Sequence, residues 1–253
     1  MSAYASLGKI LVIIPTYNEI ENVDIAVTAV RRHAPTIDIL IADDNSPDGT
    51  GNRADEIATQ DSHVAVLHRA GKQGLGAAYI DSFQWAKERG YDVVVEMDAD
   101  GSHRAQDLPS ILTALVNSDV ALGSRWVRGG QVVNWPLHRK ILSRGGNIYT
   151  KIWLGMSVSD ATGGYRAFRM SALDAIGLQA VQSQGYCFQV DMAWRAVQAG
   201  LTVVEVPITF VERERGESKM DQAIVKEALA RVTVWGLNKR LTDLRSLFSR
   251  SSQ

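Results

Sequence analysis

The chain has 253 residues, of which 45% are hydrophobic, a single cysteine and a formal net charge of −1. The lone Cys187 excludes an intramolecular disulfide, and no run of the sequence approaches the ~18–20 apolar residues of a membrane-spanning helix. The small net charge conceals an asymmetry, because residues 1–120 carry 9 Lys and Arg against 18 Asp and Glu, whereas residues 121–253 carry 18 against 10.

Strand and helix patterns alternate along the chain, which predicts a largely parallel sheet covered by helices on both faces. In chain order, the predicted strands are Ile10–Ile14, Ile37–Ala42, Val64–Leu67, Val93–Met97, Val120–Leu122 and Val203–Val206. The predicted helices are Ile20–His33, Gly51–Gln60, Gly76–Arg89, Ala105–Val116, about Pro136 to Leu154, and about Asp221 to Leu247. Pro15 is expected to stop the first strand. No clear linker interrupts the pattern, so the sequence favours one α/β domain.

Two carboxylates, Asp98 and Asp100, follow the predicted strand Val93–Met97. In open α/β sheets ligands bind beyond the carboxyl ends of the strands, where such a pair can chelate a divalent cation that prefers oxygen ligands. The acidic first half suits this interpretation, although scattered solvated charge gives the same balance. For a D-x-D sequence taken alone, an acidic solvated turn is the alternative.

Two glycine patterns that would indicate other nucleotide-binding proteins are missing. The loop after the first strand lacks G-x-G-x-x-G, which counts against an NAD- or FAD-dependent enzyme. The loop Gly71–Gly76 lacks the spacing and the Lys-Ser/Thr ending of a P-loop, and we interpret it as structural.

Five motifs stand in one order between residues 13 and 220, namely IIPTYNE, IADDNSPDGT, EMDADGSH, GSR and RERGESKM. Together they resemble the dolichol- and polyprenyl-phosphate mannosyltransferases, which are inverting family-two glycosyltransferases with a GT-A fold. The resemblance implies a single GT-A catalytic domain over residues 1–253. Within it, residues 1–123 would form a nucleotide- and metal-binding half, 124–220 an acceptor and lid half, and 221–253 an amphipathic C-terminal helix and tail.

The resemblance also implies which residues hold the nucleotide. Contacts to base and ribose are implied for Pro15, Tyr17, Glu19, and Asp43 or Asp44. Carboxylates suit this role because they accept hydrogen bonds from ring N–H groups and hydroxyls. For Glu19, an acid that stabilises the start of a helix is an equal alternative.

A metal site is implied at the D-x-D motif. Asp98 and Asp100 match the family residues that hold Mg²⁺ or Mn²⁺ against the diphosphate of a nucleotide sugar, with Asp98 also counted among the nucleotide contacts. The family pattern usually continues with Leu-Gln-His, whereas this chain has Gly101-Ser102-His103. Ser102 is therefore a weak candidate for the third metal ligand, and His103 is expected to support the loop rather than bind the metal.

Cations of the second half match family positions for phosphates. Arg125 and Arg139 are implied to bind the acceptor phosphate, since guanidinium forks pair well with phosphate oxygens. Arg213, Ser218 and Lys219 lie in a polar loop that resembles the mobile lid over the donor diphosphate, whose closure would exclude water. A surface arginine for Arg139 and a solvated charged loop for the lid are the alternatives.

Sugar contacts are implied for three further residues. Asp160 in DATGGYR matches a segment beside the sugar, and Gln189 and Asp191 in GYCFQVDM fit the sugar-side helix. A core helix with one capping acid is the alternative for the last two.

The resemblance thus implies transfer of mannose from GDP-mannose to a polyprenyl monophosphate with inversion, giving a β-linked product. The nucleophile is a phosphate oxygen that is already ionised near neutral pH, so no strong general base is expected. Spacing alone separates neither guanine from uracil nor mannose from glucose. The alternatives are a UDP-glucose-dependent glucosyltransferase and a non-catalytic nucleotide-sugar-binding subunit; nucleic-acid binding is not expected, because the sequence lacks a basic groove with aromatic platforms.

A membrane surface is a further expected partner, because the tail of a polyprenyl phosphate lies in lipid. Leu137–Leu154 and the C-terminal helix mix apolar residues with Lys and Arg, as interfacial helices do, although packing on the protein's own core is the alternative. Nothing near Met1 resembles a signal peptide, so the expected location is the cytoplasmic face of the membrane, with peripheral attachment. Many members of the family carry C-terminal membrane segments. Because no run of this sequence is apolar enough to span a bilayer, we expect an anchor supplied by a separate membrane protein or domain.

Overall fold

The computed structural model describes residues 3–181, 186–213 and 222–250, without the side chains at 180, 186, 222–227 and 243–250. The strands in these ranges are β1 (Ile10–Thr16), β2 (Asp38–Asp43), β3 (Val64–His68), β4 (Val93–Glu96), β5 (Val120–Ser124), β6 (Gln131–Val133), β7 (Arg166–Arg169), β8 (Val203–Pro207) and β9 (Thr209–Val211). The α-helices are α1 (Val23–His33), α2 (Thr50–Gln60), α3 (Leu75–Glu88), α4 (Leu108–Leu115), α5 (Leu137–Leu154), α6 (Met170–Ile176), α7 (Tyr186–Gln198) and α8 (Gln222–Arg250). The predicted lid residues Ser218 and Lys219 lie outside the described residues.

Seven strands form one sheet in the order β3-β2-β1-β4-β7-β5-β8. All neighbouring pairs are parallel except those of β7, which runs antiparallel to both β4 and β5. The mostly parallel sheet is therefore as predicted, and β7 inserts a strand from later in the chain between β4 and β5. A separate pair, β6 and β9, lies parallel beside this sheet.

Helices cover both faces of the sheet, so the central strands are apolar on both sides. In β1, Val12 and Ile14 join a core with α1, α2 and α4, whereas Leu11 and Ile13 join a second core with α3, α6 and α7. This two-sided burial explains why the strand reads as an unbroken apolar run rather than an alternating one. Full burial of each such side chain contributes about 1.5–3 kcal/mol.

Three predicted boundaries were wrong for identifiable reasons. Strand β1 continues through Pro15 to Thr16, because β4 ends opposite Ile13 and no ladder bond is required from the proline nitrogen. Helix α1 begins at Val23 rather than Ile20, after a turn in which the Glu19 carbonyl accepts the N–H of Val23. The predicted helix Ala105–Val116 is a 3₁₀ turn at Ala105–Asp107 followed by α4, with Pro109 in the first turn of α4.

Helices α5 and α8 pack against each other at the second half of the sheet. Gly236 lets the two backbones approach closely, because a Cβ there would lie 2.6 Å from the carbonyl oxygen of Trp153. The Tyr149 hydroxyl lies 2.5 Å from that of Thr233, and the Arg240 guanidinium lies over the Trp153 ring. Among the described residues, no helix combines the length and the apolarity that crossing a bilayer requires.

Candidate active site

Polar and charged side chains collect where the parallel strands end. Tyr17 follows β1, Asp44 follows β2, Asp98 follows β4 and Arg125 follows β5. Since these strands are neighbours or near neighbours in one sheet, their carboxyl ends share an edge. The motifs picked out in the sequence are therefore brought together at the place where open α/β sheets bind ligands.

Asp43 ties the ends of β1 and β2 together. Its buried carboxylate accepts the Thr16 hydroxyl at 3.0 Å, the Ser46 hydroxyl at 2.6 Å and the Ser46 N–H at 3.0 Å. Gly51 must stay small, because a Cβ there would lie 2.9 Å from the Asp43 carboxylate. These contacts favour Asp43 as the residue that shapes the nucleotide loop.

Asp44, the next residue, forms a buried ion pair with Arg69, and Arg69 also pairs with Asp81 at 2.8 Å. Burial raises the pKa of Asp44, and Arg69 only partly opposes that rise. The Lys72 ammonium lies 4.4 Å from the centre of the Tyr17 ring. The glycine loop that we interpreted as structural thus delivers a cation to the predicted nucleotide site, and Lys72 was the signal that sequence reasoning passed over.

Glu19 stands before α1 rather than inside its first turn. Its carboxylate accepts the Asn22 side-chain amide at 2.7 Å, and its N–H donates to the Thr50 hydroxyl at 3.0 Å. Pro15 and Tyr17 are partly exposed at the same edge, as is Glu19. Their geometry leaves the nucleotide-contact role of all three as a prediction.

The D-x-D loop is held from within. Asp98 N–H donates to His103 Nδ1 at 3.0 Å, and Ser102 N–H donates to Asp100 Oδ1 at 3.0 Å. The buried His103 ring stacks on Tyr165, with ring centres 5.0 Å apart. His103 therefore supports the loop. Ser102 is buried and its N–H is bonded to Asp100, and the role of Ser102 as a metal ligand stays a prediction.

Asp100 faces a cation already. The Arg213 Nη1 lies 3.4 Å from Asp100 Oδ2, and Asp100 is much less exposed than Asp98. Burial would raise the pKa of Asp100, but hydrogen bonding with Ser102 and the charge of Arg213 lower it below its ordinary value. The lowered pKa keeps Asp100 ionised, and the ionised carboxylate is the form that binds a divalent cation.

The residues present fit a divalent metal that is shared with the donor. Among the described residues, no set of three or more His, Cys, Asp and Glu side chains is arranged to hold an ion alone. A magnesium-type ion is usually held by one or two carboxylates together with substrate phosphates and water. Asp98 and Asp100 meet that requirement.

Arg125 and Asp160 form a buried, bidentate pair. Arg125 Nε and Nη2 each lie 2.7 Å from an Asp160 oxygen, and the Arg125 N–H donates to the same carboxylate at 2.9 Å. Asp160 has no exposed surface, and Arg125 lowers its pKa against the effect of burial. This arrangement favours Asp160 as the counter-ion that fixes Arg125, and the direct mannose contact expected from the sequence stays a prediction.

Arg139 is not a surface arginine. Its Nη1 contacts both carboxylate oxygens of Glu212 at 2.5 Å, and its guanidinium carbon lies 4.1 Å from the centre of the Trp135 ring. Arg125 approaches the same ring at 5.4 Å. The two arginines implied for the acceptor phosphate therefore share one tryptophan, and neither Trp135 nor Glu212 was singled out in the sequence.

Gln189 and Asp191 lie on α7, beneath the D-x-D strand. Gln189 Nε2 donates to Glu96 Oε2 at 2.8 Å, and Asp191 pairs with Arg195 at 2.7 Å. Both are buried. Burial raises the pKa of Glu96 to about 7 and lowers that of Arg166 to about 10, so burial disfavours the charged form of both groups beneath the D-x-D loop. Direct sugar contact by Gln189 or Asp191 stays a prediction.

Residues 11–177 match the family model described as glycosyl transferase family 2. The chain is 54% identical over 238 residues to an undecaprenyl-phosphate mannosyltransferase of Micrococcus luteus, covering 94% of this chain and 98% of that protein. It is 51% identical over 241 residues to a polyprenol monophosphomannose synthase of Mycolicibacterium smegmatis, covering 94% and 91%.

Solved structures of lower identity share the fold. The mannosyltransferase PcManGT from Pyrobaculum calidifontis, in complex with GDP-Man and Mn²⁺, superposes with a TM-score of 0.60 at 17% identity, over 92% of this chain and 64% of that one. Glucosyl-3-phosphoglycerate synthase from Mycobacterium tuberculosis, with UDP, gives 0.66 at 16% identity, over 93% and 82%. The fold is GT-A, as predicted. The chain therefore belongs to glycosyl transferase family 2, in the group of polyprenyl-phosphate mannosyltransferases.

Proposed function

We propose that the protein transfers mannose from GDP-mannose to a polyprenyl monophosphate with inversion, making a β-linked lipid-phosphate mannose. One observation carries the proposal: a single edge of the sheet unites the Asp98/Asp100 pair with arginines suited to two phosphates. The relatives at 54% and 51% identity are named as mannosyltransferases of polyprenyl phosphates, which favours this function over a glucosyltransferase or a non-catalytic subunit.

The donor lies, in this proposal, along the ends of β1, β2 and β4. Tyr17 and Lys72 enclose the nucleotide, Asp43 or Asp44 and Glu19 accept hydrogen bonds from it, and Asp98 and Asp100 face its diphosphate. A bound Mg²⁺ or Mn²⁺ supplies Lewis-acid stabilisation of the charge that builds on the departing diphosphate. Arg213 leaves Asp100 for that same diphosphate, with Lys219 of the lid as a second cation.

The acceptor phosphate binds beside Arg139, with the buried Arg125–Asp160 pair fixing the surroundings. One phosphate oxygen attacks the anomeric carbon of mannose from the face opposite GDP, the bond to the diphosphate breaks, and the configuration inverts. The nucleophile carries its charge already, so the residues need only position two anions and offset their repulsion. No side chain has to remove a proton.

Donor and acceptor panels test the proposal directly. Purified protein is incubated with Mn²⁺ or Mg²⁺, a polyprenyl phosphate, and either GDP-[¹⁴C]mannose or UDP-[¹⁴C]glucose, and labelled lipid is extracted. We expect label only from GDP-mannose, and none when the unphosphorylated polyprenol replaces the phosphate. Transfer from UDP-glucose at a comparable rate would contradict the proposal, and the ion that supports the higher rate identifies the preferred metal.

Peripheral attachment to the cytoplasmic face of an anionic membrane is part of the proposal. Helix α5 exposes an apolar stripe, with Ile141, Ile148 and Ile152 each more than half exposed. At 100° per residue these three side chains fall on one side of the helix, and the exposed Arg144 and Lys151 flank them. An apolar stripe with basic neighbours is the pattern that binds lipid head groups and the outer acyl region.

Helix α8 continues the same surface. Its contacts with α5 use Thr233, Gly236 and Arg240, whereas Val234, Leu237 and Leu241 are exposed. The exposed set lies on the side of α8 away from the buried Val232, so both stripes face outward beside their shared contact. A broad apolar surface of this kind would otherwise favour aggregation.

Replacing Ile141, Ile148 and Ile152 by serine should weaken binding to anionic vesicles by about a hundredfold, since each residue loses roughly 1 kcal/mol of burial in lipid. Vesicle co-sedimentation measures the effect. Ile25→Ser on α1, where the side chain is 50% exposed, is the matched control and should bind as the wild type does. Equal binding by the triple variant would contradict the proposed surface. Strong binding by the wild-type chain alone would contradict a borrowed anchor.

A further inference from the structure

The segment Glu212-Arg213 connects the two substrate sites. It follows β9, and the Glu212 N–H donates to the Val133 carbonyl of β6 at 3.1 Å, so its backbone is fixed against the small sheet. From there the side chain of Arg213 reaches Asp100, and the side chain of Glu212 reaches Arg139. Two consecutive residues thus contact the predicted metal carboxylate and the predicted acceptor arginine.

Glu212 presents anionic oxygens where the acceptor phosphate is expected. Both of its carboxylate oxygens lie 2.5 Å from Arg139 Nη1, and the Arg139 side chain is only 12% exposed. The N–H groups of arginine donate hydrogen bonds to carboxylates and to phosphates alike, so the two anions compete for one guanidinium.

Glu212 does not use all the donors around it. Arg139 Nε and the Trp135 indole nitrogen are buried and have no hydrogen-bond partner among the described residues. The guanidinium carbon lies 4.1 Å from the Trp135 ring centre, so the two unpaired donors belong to one small cluster. Buried donors without a partner are costly, and a phosphate monoester, with more acceptor oxygens than a carboxylate, suits them better than Glu212 does.

Resting on the proposed function, we propose that Glu212 is a positioning residue that occupies Arg139 until the phosphate of the lipid acceptor displaces it. Inorganic phosphate must then displace the tethered Glu212 carboxylate through its own contacts alone. A polyprenyl phosphate adds the binding free energy of its tail to the same phosphate contacts. Glu212 therefore raises the affinity that any phosphate needs in order to occupy Arg139, a threshold that a polyprenyl phosphate meets through the binding of its tail.

The test compares Glu212→Gln with the wild type in two assays. In the first, calorimetry measures farnesyl phosphate binding without donor or metal, and we expect about tenfold tighter binding by the variant, the range for removing a competing charge. In the second, initial rates at saturating GDP-mannose give KM for the lipid and the inhibition constant of inorganic phosphate. We expect both constants to fall about tenfold in the variant, with kcat changed less than KM.

Two further variants sharpen the result. Glu56→Gln removes the same charge from an Arg–Glu pair on α2, where Glu56 contacts Arg53 at 2.5 Å, and should leave every constant as in the wild type. Glu212→Asp keeps the charge, so its inhibition constant for inorganic phosphate should lie closer to the wild-type value than to that of Glu212→Gln. Unchanged or weaker farnesyl phosphate binding by Glu212→Gln would overturn the inference. Should the wild type fail to transfer mannose, the proposed function fails, while the binding assay still decides the role of Glu212.

Discussion

Replacing Asp100 by asparagine should reduce kcat/KM for mannose transfer by about a thousandfold, equivalent to ~4 kcal/mol of transition-state stabilisation. The substitution keeps the size of the side chain but removes one of the two carboxylates that face the predicted metal and diphosphate. Lipid-extracted label from GDP-[¹⁴C]mannose measures the rate, and electron paramagnetic resonance of Mn²⁺ in the presence of GDP measures metal binding independently of turnover.

The control for Asp100→Asn is Asp174→Asn on α6, which removes the same charge from an exposed pair with Lys87 at 2.5 Å. An exposed pair of this kind contributes about 0–1 kcal/mol, so the control should keep both its activity and its fold. Thermal unfolding of both variants separates lost chemistry from lost structure. Turnover by Asp100→Asn at the wild-type rate, with undiminished Mn²⁺ binding, would remove this carboxylate from the mechanism.

The first half of the fold could be predicted from the sequence because its strands are apolar and its turns are polar. Each of the strands β1 to β5 lies within two residues of its predicted bounds at either end. Strand β7 was missed because it is short and carries Arg166, a fully buried charge in the middle of the sheet, which hides the apolar signal. Strands β6 and β9, of three residues each, are too short for any periodicity to be visible.

Site positions could be predicted better than site partners. The D-x-D pair and the arginines are found at the expected edge, since motifs at strand ends are placed by the topology itself. Their partners are distant in sequence: Asp160 lies 35 residues from Arg125, and Glu212 lies 73 residues from Arg139. No local pattern specifies such a pair, which is why it was not predicted that Arg125 and Arg139 hold carboxylates in the structure.

These pairs explain how an enzyme without a bound phosphate can keep several arginines together. Mutual repulsion among Arg125, Arg139 and Arg213 is offset by one carboxylate for each, namely Asp160, Glu212 and Asp100. The three pairs differ in burial, and only Asp160 is entirely enclosed. The enclosed pair is suited to fixing the frame of the site, whereas the two partly exposed pairs can exchange their partners for phosphates and metal.

Of the three arginine–carboxylate pairs, the enclosed pair Arg125–Asp160 should lower the free energy of unfolding most when it is broken. Asp160→Asn should lower the free energy of unfolding by about 3–5 kcal/mol, because it leaves the buried Arg125 guanidinium without a counter-ion. Urea unfolding at neutral pH measures this difference. If Asp160 served only as a mannose contact, the variant would lose turnover and keep its stability, which is the outcome that would contradict the role assigned here.

The dependence on pH gives an independent test of the same pair. Arg125 holds the pKa of Asp160 below its ordinary value in the folded protein, so the carboxylate stabilises the fold above the unfolded pKa of ~3.9 and loses that contribution as the pH falls through the lower, folded value. The stabilities of the wild type and Asp160→Asn should therefore differ most at neutral pH and converge below about pH 4.

Combining Asp160→Asn with Arg125→Met should recover part of the loss of stability, since removing both charges costs less than removing one. A constant difference between pH 7 and pH 3, or a double variant as unstable as the sum of the single ones, would show that the pair does not act through its charges.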